Sequence, residues 1–505
     1  MGAGGAAKAE PLSSCGSRSV GLLRGLQSIA VTTPHTATIR ETRLQDHRPH
    51  VLIIGGGASG VLLACHLLRN RAGDLKVTLI EKQPEVGRGI AYCTTNPDHL
   101  LNVRAANMTA FPDQPDHFWR WLGARKECGS AWQTGGGPFC FAPRKIYGEY
   151  LSSLIAPLSS GGRSGPLRII RGECVSIAQF PSGVTITLAD GSLHQGDFAI
   201  LATGHEASVC HTGGYLDPWT GPADAGVEPD ARVLLLGTGL TMIDYVLSLS
   251  RAGHQGPVLA MSRRGLLPRG HRNVQPMRID PADVPFGKGM PDLLRWLRTR
   301  IEQHARQGGD WRCVLDGIRP FVQQIWQHLP MPARKSFLEH ARAWWDVHRH
   351  RMAPEVEKRI DAVIASGRLQ IMAAKLCGIE QVTEGVLIHY RRRGATTVET
   401  MQVDNIVECR QIGPAPVKVV NPVLRSLIER GLARLDPLHL GIDVTPDGAV
   451  ISRSGEASER LFAVGPLTRP AFWEIIAIPD ITEQCMALAN RLRRALPKPA
   501  AISRS

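Results

Sequence analysis

Three glycines and an acidic residue give the chain the spacing of a dinucleotide-binding site. Gly55, Gly57 and Gly60 follow a GxGxxG pattern, and Glu81 lies about 20 residues beyond them, where that fingerprint carries an acid. The first glycine of such a site permits a tight turn, the second lets a pyrophosphate approach the backbone, and the third lets a helix pack closely on a strand. The carboxylate holds a ribose hydroxyl. Ser59, inside the same turn, is a further candidate cofactor contact.

The residues around these glycines predict the elements that position them. Residues 51–54 form a short apolar run typical of a buried strand, and the apolar stretch from residue 61 suits a helix. Residues 76–80 form a second strand, which ends at Glu81. This order predicts a dinucleotide bound at a helix N-terminus. The alternative is a glycine turn that joins a strand to a helix and binds nothing.

A second strand and glycine turn lie near the middle of the chain. Residues 232–236 are an apolar strand after an initial arginine, and Gly237 and Gly239 follow it. Met242 stands where the third glycine of the fingerprint would be. Because a bulky residue at this position keeps the helix further from the strand, the second turn matches the fingerprint less closely.

The end of the next predicted strand distinguishes the two turns. Residues 257–261 are followed by Arg263 and Arg264, at the place where Glu81 ends the first unit. An acid there would favour NAD, whereas guanidinium groups form charge-assisted bonds to the ribose phosphate of NADP. The pair therefore favours NADP. The alternative is an exposed basic strand end.

Composition narrows the class of protein. The 505 residues carry 59 Lys plus Arg against 45 Asp plus Glu, a net charge of +14, which suits nucleic acid, a membrane surface or acidic small molecules. The basic residues are mostly scattered arginines with no run of five or more, so solvated surface and phosphate pockets are favoured over nucleic acid. No apolar run approaches the roughly 18 residues of a membrane span. Length predicts two or three domains.

Cysteine spacing excludes several kinds of site. The eleven cysteines include no CxxC pair, which argues against a disulfide framework, a thiolate zinc site and a paired-cysteine redox centre. A reducing cytoplasm is the simplest setting. The HxH pair, His348 and His350, is not expected to bind metal, because residues two apart on a helix point to different faces. No metal site is predicted.

A long helical segment, residues 290–365, is rich in Trp, Arg and His. Trp345 and His348 are candidates for a substrate or nicotinamide pocket; a helix that packs its tryptophans and displays its arginines is an equal alternative. The glycines of residues 87–92 suit either a ligand-lining loop or plain turns.

Two dinucleotide turns, the second inserted in a sheet begun by the first, resemble the two-dinucleotide-binding-domain flavoproteins. Longer blocks are similar to the poorly characterised NAD(P)/FAD-binding family typified by bacterial YdhS. These blocks are residues 87–92, 100–103, 237–244, 262–268, 344–354 and 463–480. The resemblance implies an α/β fold with two Rossmann-like domains, one for FAD and one for NADPH, and a helical insertion.

The resemblance also implies roles for named residues. The FAD site would take Gly55, Gly57, Gly60 and Glu81, and the NADPH site Gly237, Gly239, Arg263 and Arg264. Gly89 and Asn102 would lie on the flavin side, with Gly465 at a late turn. The chain departs from the flavoprotein pattern at residues 407–413, which lack a Thr-Gly pair, and at Pro466, where an Asp commonly follows the late glycine.

The resulting domain prediction has five parts. Residues 1–49 are a disordered or targeting tail, or result from translation that starts at an upstream codon. The FAD domain takes residues 50–220 as its first part and 376–495 as its second part. Residues 221–375 between them are the NAD(P)H domain with its helical insertion, and 496–505 are a tail.

Three functions are compatible with these features. The favoured one is an FAD- and NADPH-dependent monooxygenase that hydroxylates a small amine-type nucleophile. The others are a reductase that passes electrons to a small acceptor, and a nucleotide-binding redox sensor without turnover. No catalytic side chain is predicted, because the flavin supplies the chemistry in such enzymes. Substrate identity and oligomeric state are not predicted.

Overall fold

The computed structural model describes residues 48–69, 74–125, 137–159, 165–204, 215–410 and 421–495. Both predicted tails lie almost entirely outside the described residues. The strands, in chain order, are β1 (His50–Ile54), β2 (Lys76–Glu81), β3 (Leu167–Arg171), β4 (Cys174–Phe180), β5 (Gly183–Leu188), β6 (Leu193–Gly196), β7 (Phe198–Leu201), β8 (Tyr215–Leu216), β9 (Val233–Leu236), β10 (Val258–Ser262), β11 (Leu369–Gln381), β12 (Val386–Arg392), β13 (Glu399–Val403), β14 (Asn405–Glu408), β15 (Ala449–Ile451) and β16 (Ala457–Ala463).

Short 3-10 or π turns join several of the helices. The α-helices, in chain order, are α1 (Ala58–Leu68), α2 (Gly89–Tyr92), α3 (His117–Gly123), α4 (Arg144–Ser159), α5 (Leu240–Arg251), α6 (Met290–Arg306), α7 (Trp311–Ile318), α8 (Val322–His328), α9 (Met331–Ser336), α10 (Arg342–Arg349), α11 (Pro354–Ala365), α12 (Pro422–Glu429) and α13 (Ile478–Ala495).

A six-stranded sheet in the order β15-β16-β7-β1-β2-β3 organises the first domain. Strands β16, β7, β1, β2 and β3 run parallel, and β15 pairs antiparallel with β16. The side chains of Val51, Leu52 and Ile53 are fully buried, as expected for a central strand of a parallel sheet. Helix α1 packs against α4 and α13. The strand, turn and helix predicted at the start of the chain are confirmed.

A seven-stranded sheet in the order β13-β12-β11-β10-β9-β14-β8 organises the second domain. Its strands from β11 to β8 run parallel, and the hairpin β12–β13 extends the sheet antiparallel. The strand and helix predicted around the second glycine turn are confirmed. A smaller antiparallel sheet, β4-β5-β6, belongs to the first half of the chain.

Strand pairing corrects both predicted borders of the second domain. The sequence assigns residues 376–408 to the FAD domain, but β11 pairs with β10 and continues unbroken through residue 376, and β14 pairs with β9. A border at 376 would cut one strand in two. The first sheet resumes only with β15, and β8 pairs with β14, so the border predicted at 220 lies before residue 215.

Helices α6 to α10 form the predicted helical insertion between β10 and α11. They surround a core of their own, which includes Leu293, Val322, Trp326 and Phe337 and is shared with Trp473 of the first domain. Pro354 begins α11, where its fixed φ suits the first turn of a helix. The insertion therefore packs against the C-terminal part of the first domain.

The two domains also meet through a buried ion pair. Arg144 Nη2 at the start of α4 lies 2.9 Å from Asp244 Oδ2 on α5. Burial raises the pKa of Asp244, and the guanidinium of Arg144 opposes this. His99 Nε2 lies 2.9 Å from the carbonyl oxygen of Asp244, which fixes the domains at the same point. Within the described ranges, no helix has the length and apolar character needed to cross a membrane.

Candidate functional site

The first glycine turn requires glycine at two positions. Gly55 has φ +105°, and a Cβ there would lie 2.4 Å from the carbonyl oxygen of Ala202, the residue that follows β7. A Cβ on Gly60 would lie 1.9 Å from the Gly55 oxygen. The Gly55 N–H donates to the carbonyl of Ile80, 2.8 Å away. Turn, helix and second strand are thereby held together, as the fingerprint predicts.

Gly57 leaves space at the N-terminus of α1. It is the N-cap residue, and of the described atoms only the Cα of Gly89 would lie within 4 Å of an added Cβ, at 3.6 Å. Gly89 has φ +50°. The structure thus brings together two predicted cofactor glycines that are far apart in sequence, beside the free N–H groups of a helix terminus.

The Glu81 carboxylate is fixed beside this turn. Its Oε2 accepts a hydrogen bond from the Gly56 N–H at 2.6 Å, and its Oε1 accepts one from the Gln83 N–H at 2.8 Å. The side chain is half-buried at the end of β2. An oriented carboxylate next to the turn fits the predicted ribose contact.

Ser59, at the start of α1, lies close to Gly465, which comes shortly after β16. Ser59 is buried, and a Cβ on Gly465, which has φ +75°, would lie 2.2 Å from Ser59 Oγ. The Gly465 N–H donates to Gln484 Oε1 at 2.7 Å. Because the Gly465 N–H already has a hydrogen-bond partner within the protein, what the site requires of Gly465 is the absence of a side chain.

Asn102 lies where the two domains meet. His271 Nε2 is 3.0 Å from the Asn102 carbonyl oxygen. Burial and then the guanidinium of Arg351 lower the pKa of His271 to about 3. The ring is therefore neutral at pH 7, and its Nε2–H donates to the loop that carries Asn102.

The second glycine turn repeats the geometry of the first. Gly237 has φ +111°, its N–H donates to the carbonyl of Met261 at 2.8 Å, and a Cβ there would lie 3.0 Å from the Cys409 oxygen. Gly239 caps α5, and a Cβ on it would meet no described atom within 4 Å. Met242 is fully buried in the second core. Open space at a helix N-terminus fits a bound phosphate.

Arg263 and Arg264 follow this turn but differ in their contacts. Arg263 is exposed and makes no hydrogen bond or ion pair among the described residues. Arg264 is half-buried, and its Nη2 donates to the carbonyl of His340 in the insertion at 2.9 Å. Arg264 therefore links the predicted NADPH site to the helical insertion.

A basic hairpin lies beside this pair. The Arg393 N–H donates to the carbonyl of Ala373, and Ala373 pairs with Ser262 across the parallel strands. The exposed residues Arg391 and Arg393 are thus near the strand end that carries Arg263. No sequence spacing signals this arrangement, because it depends on the pairing of β11 with β10 and of β12 with β11.

The helical insertion encloses a cavity of ≈ 680 Å³. Both candidate pocket residues, Trp345 and His348, line it, together with Trp473 of the first domain. The indole N–H of Trp345 donates to Glu474 Oε1 at 2.6 Å, and Arg349 Nε lies 3.0 Å from Glu474 Oε2. The cavity therefore has walls from both the insertion and the segment that follows Gly465.

The HxH pair points in two directions. His348 stacks edge-on against Trp311, whereas His350 Nε2 lies 3.9 Å from Asp346 Oδ1. Among the described residues, no group of three or more His, Cys, Asp or Glu side chains has an arrangement that could hold a metal.

Two buried arginines lack partners for part of their guanidinium groups. Nε and Nη1 of Arg351 and of Arg469 have no hydrogen-bond partner among the described residues, although Arg351 also pairs with Asp316. Arg469 is 3% exposed, and burial and then Arg342 lower its pKa to about 10. A buried cation of this kind requires a compensating group. Arg469 follows the Gly465 turn, and Asp346 and Glu474 offset part of its charge. Its two unpaired nitrogens remain available to a polar group of a ligand, and no sequence spacing identifies this arginine.

Comparisons with known proteins agree with this fold. Residues 52–206 match a family model described as FAD-NAD(P)-binding, and no curated protein matches the chain. Similar solved structures include L-lysine 6-monooxygenase from Pseudomonas syringae, with 17% identity and TM-score 0.60 over 89% of this chain and 100% of that chain. The ornithine N-hydroxylase of Kutzneria sp. 744, with reduced FAD, NADP⁺ and L-ornithine, has 13% identity and TM-score 0.57 over 89% and 99%.

A third similar structure is the FAD-bound cadaverine monooxygenase DfoA from Erwinia amylovora, with 12% identity and TM-score 0.62 over 91% of this chain and 98% of that chain. At these identities the likeness concerns the fold. The prediction of an α/β protein with parallel sheets and a dinucleotide-binding domain is confirmed.

Proposed function

We propose that the chain is an FAD- and NADPH-dependent monooxygenase that hydroxylates the nitrogen of a small amine. The observation that carries this proposal is the pair of matching glycine turns, one ending at Glu81 and the other at Arg263, with a cavity bordered by both domains. The lysine and cadaverine monooxygenases and the ornithine N-hydroxylase share the fold over nearly their whole length, and the last of these holds reduced FAD, NADP⁺ and L-ornithine. The described cysteines are free, which disfavours an internal disulfide as electron acceptor.

The cofactor residues follow from the two turns. Gly55, Gly57, Gly60 and Glu81 would hold the ADP half of FAD, with Gly89, Asn102, Ser59 and Gly465 on the flavin side. Gly237, Gly239, Arg263 and Arg264 would hold NADPH. The flavin held there would supply the redox chemistry of the overall reaction, in which NADPH, a proton, O₂ and the amine give NADP⁺, water and the hydroxylamine.

In this reaction the residues of the protein bind the cofactors and exclude water. The helix termini and arginines bind the phosphates, and the tryptophan walls exclude water from the cavity. Sequence blocks support membership of the YdhS-like family, and cysteine usage supports a cytoplasmic location; both remain predictions.

The test is the visible spectrum of the FAD-reconstituted protein during addition of NADPH with and without oxygen. We expect the flavin to bleach in both cases and to recover only in air. Mass spectrometry of an amine panel should then find a product heavier by one oxygen atom. Undiminished turnover of an electron acceptor without oxygen would instead support the reductase, and failure to bind FAD would leave a nucleotide-binding module.

A further inference from the structure

The cavity in the helical insertion is lined by many tryptophans and, among the described residues, by no acidic side chain. Its volume of ≈ 680 Å³ is that of a site for a ligand of drug size. The residues that line it, all from the described insertion and the described segment near 473, include no Asp or Glu. Six of the lining residues carry an indole ring: Trp296, Trp311, Trp326, Trp344, Trp345 and Trp473. Such walls suit a flat aromatic molecule.

Acidic and basic side chains both lie behind the cavity walls, but two of these acids are already paired, Asp310 with Arg312 and Glu474 with Arg349. Arg312 lies 4.3 Å from the ring centroid of Trp311, and Arg469 lies 4.4 Å from that of Trp473. The polar side chains of the lining are Arg298, His340 and His348. An ammonium group would leave water here without meeting a carboxylate among the described lining side chains, and the Arg298 guanidinium would repel it.

The cavity adjoins both proposed cofactor sites. His340, which lines it, accepts the hydrogen bond from Arg264 at the NADPH side. Trp473 follows the Gly465 turn on the FAD side. Trp344 is 44% exposed, so solvent reaches the lining on that side. This is the position expected for a substrate that must meet both cofactors.

We infer that the cavity binds aromatic amines whose nitrogen is uncharged at neutral pH, in preference to aliphatic amines that carry an ammonium group. Its role as the substrate pocket rests on the proposed function, whereas the preference for neutral aromatic ligands rests on the walls alone. An uncharged nitrogen also keeps the lone pair that N-hydroxylation needs.

The test is calorimetric titration of the full-length, FAD-reconstituted protein at neutral pH with three probes. The first is 1-naphthylamine, which is uncharged; the second is 1-naphthylmethylamine, in which one added methylene makes the nitrogen cationic; the third is 1,5-diaminopentane. We expect one site for 1-naphthylamine, binding at least about tenfold weaker for 1-naphthylmethylamine, and no heat for the diamine. Equal or reversed preference between the naphthyl compounds overturns the inference.

A charge change in the lining supplies a second measurement. Arg298 is exposed on α6 and lines the cavity, so its replacement does not threaten the core. Arg298→Glu should strengthen binding of 1-naphthylmethylamine by about tenfold, because it supplies the missing carboxylate. The matched control, Arg298→Gln, removes the cation alone and should change binding less. Identical behaviour of the two variants would show that the ligand lies elsewhere.

Failure of the inference and failure of the proposed function give different results. Hydroxylation of 1,5-diaminopentane without binding of 1-naphthylamine would uphold the monooxygenase and overturn the aromatic preference. Binding of 1-naphthylamine without flavin reduction by NADPH would uphold the aromatic preference and overturn the monooxygenase.

Discussion

Replacement of Arg263 by alanine tests the proposed NADPH site with little risk to the fold. The side chain is exposed and has no partner among the described residues, so its removal should leave the unfolding free energy within about 0.5 kcal/mol of the wild type. A charge-assisted hydrogen bond from a guanidinium to the ribose phosphate contributes about 1.5–3 kcal/mol. We therefore expect NADPH affinity to fall about 10- to 100-fold.

The assay compares two nucleotides that differ only in that phosphate. NADPH and NADH are each titrated against the FAD-reconstituted protein, with the bleaching of the flavin as the signal. NADH binding should change by less than about twofold. Arg168→Ala is a matched control, because Arg168 is an exposed arginine on the edge strand β3 of the other sheet. An equal loss for NADH and NADPH, or an equal effect of the control, refutes the phosphate assignment.

Three further predictions concern the turns and stability. Gly239→Ala should leave the melting temperature nearly unchanged, since a Cβ there meets no described atom within 4 Å, but should weaken NADPH in a titration at least about tenfold by occupying the phosphate's space. Glu81→Gln should lower FAD retention during gel filtration, because it removes the carboxylate that Gly56 orients; the exposed Glu429→Gln should not. Burial lowers the pKa of His66 from 6.5 to about 4. Between these pH values the unfolded chain binds a proton at His66 and the folded chain does not. The free energy of unfolding should therefore be highest above pH 6.5 and fall by up to about 3 kcal/mol as the pH drops to 4. Denaturant unfolding at several pH values should show that the unfolding free energy of His66→Phe depends less on pH than that of the wild type. The same pH dependence in both proteins would contradict this.

Local patterns predict the two dinucleotide units because each carries its own signal. The run at residues 51–54 and the glycines after it specify strand, turn and helix within a few positions, and the structure has β1 and α1 there. The third glycine is required because a Cβ at Gly60 would lie 1.9 Å from the Gly55 oxygen. The second turn tolerates Met242 because that side chain is buried in a core of its own.

Long-range pairing is what sequence patterns do not specify. The strand at residues 386–392 has the same alternation whichever sheet it joins, so its place next to β11 depends on contacts made across the fold. The same is true of Arg393, which reaches the NADPH side only through this pairing. Arg469 has no spacing signal at all, and its unpaired nitrogens become evident only when its burial is known.

The contact between Arg264 and His340 makes the second turn and the cavity parts of one arrangement. One nitrogen of this guanidinium holds the insertion through a backbone carbonyl, 2.9 Å away, which leaves other donors of the fork for a phosphate. Arg264→Ala should therefore weaken NADPH and also loosen the cavity wall, whereas Arg263→Ala should affect NADPH alone. Titration of both variants with 1-naphthylamine separates these effects: only the Arg264 variant should lose affinity for the aromatic probe. Equal probe binding in both would mean that the insertion keeps its place without this hydrogen bond.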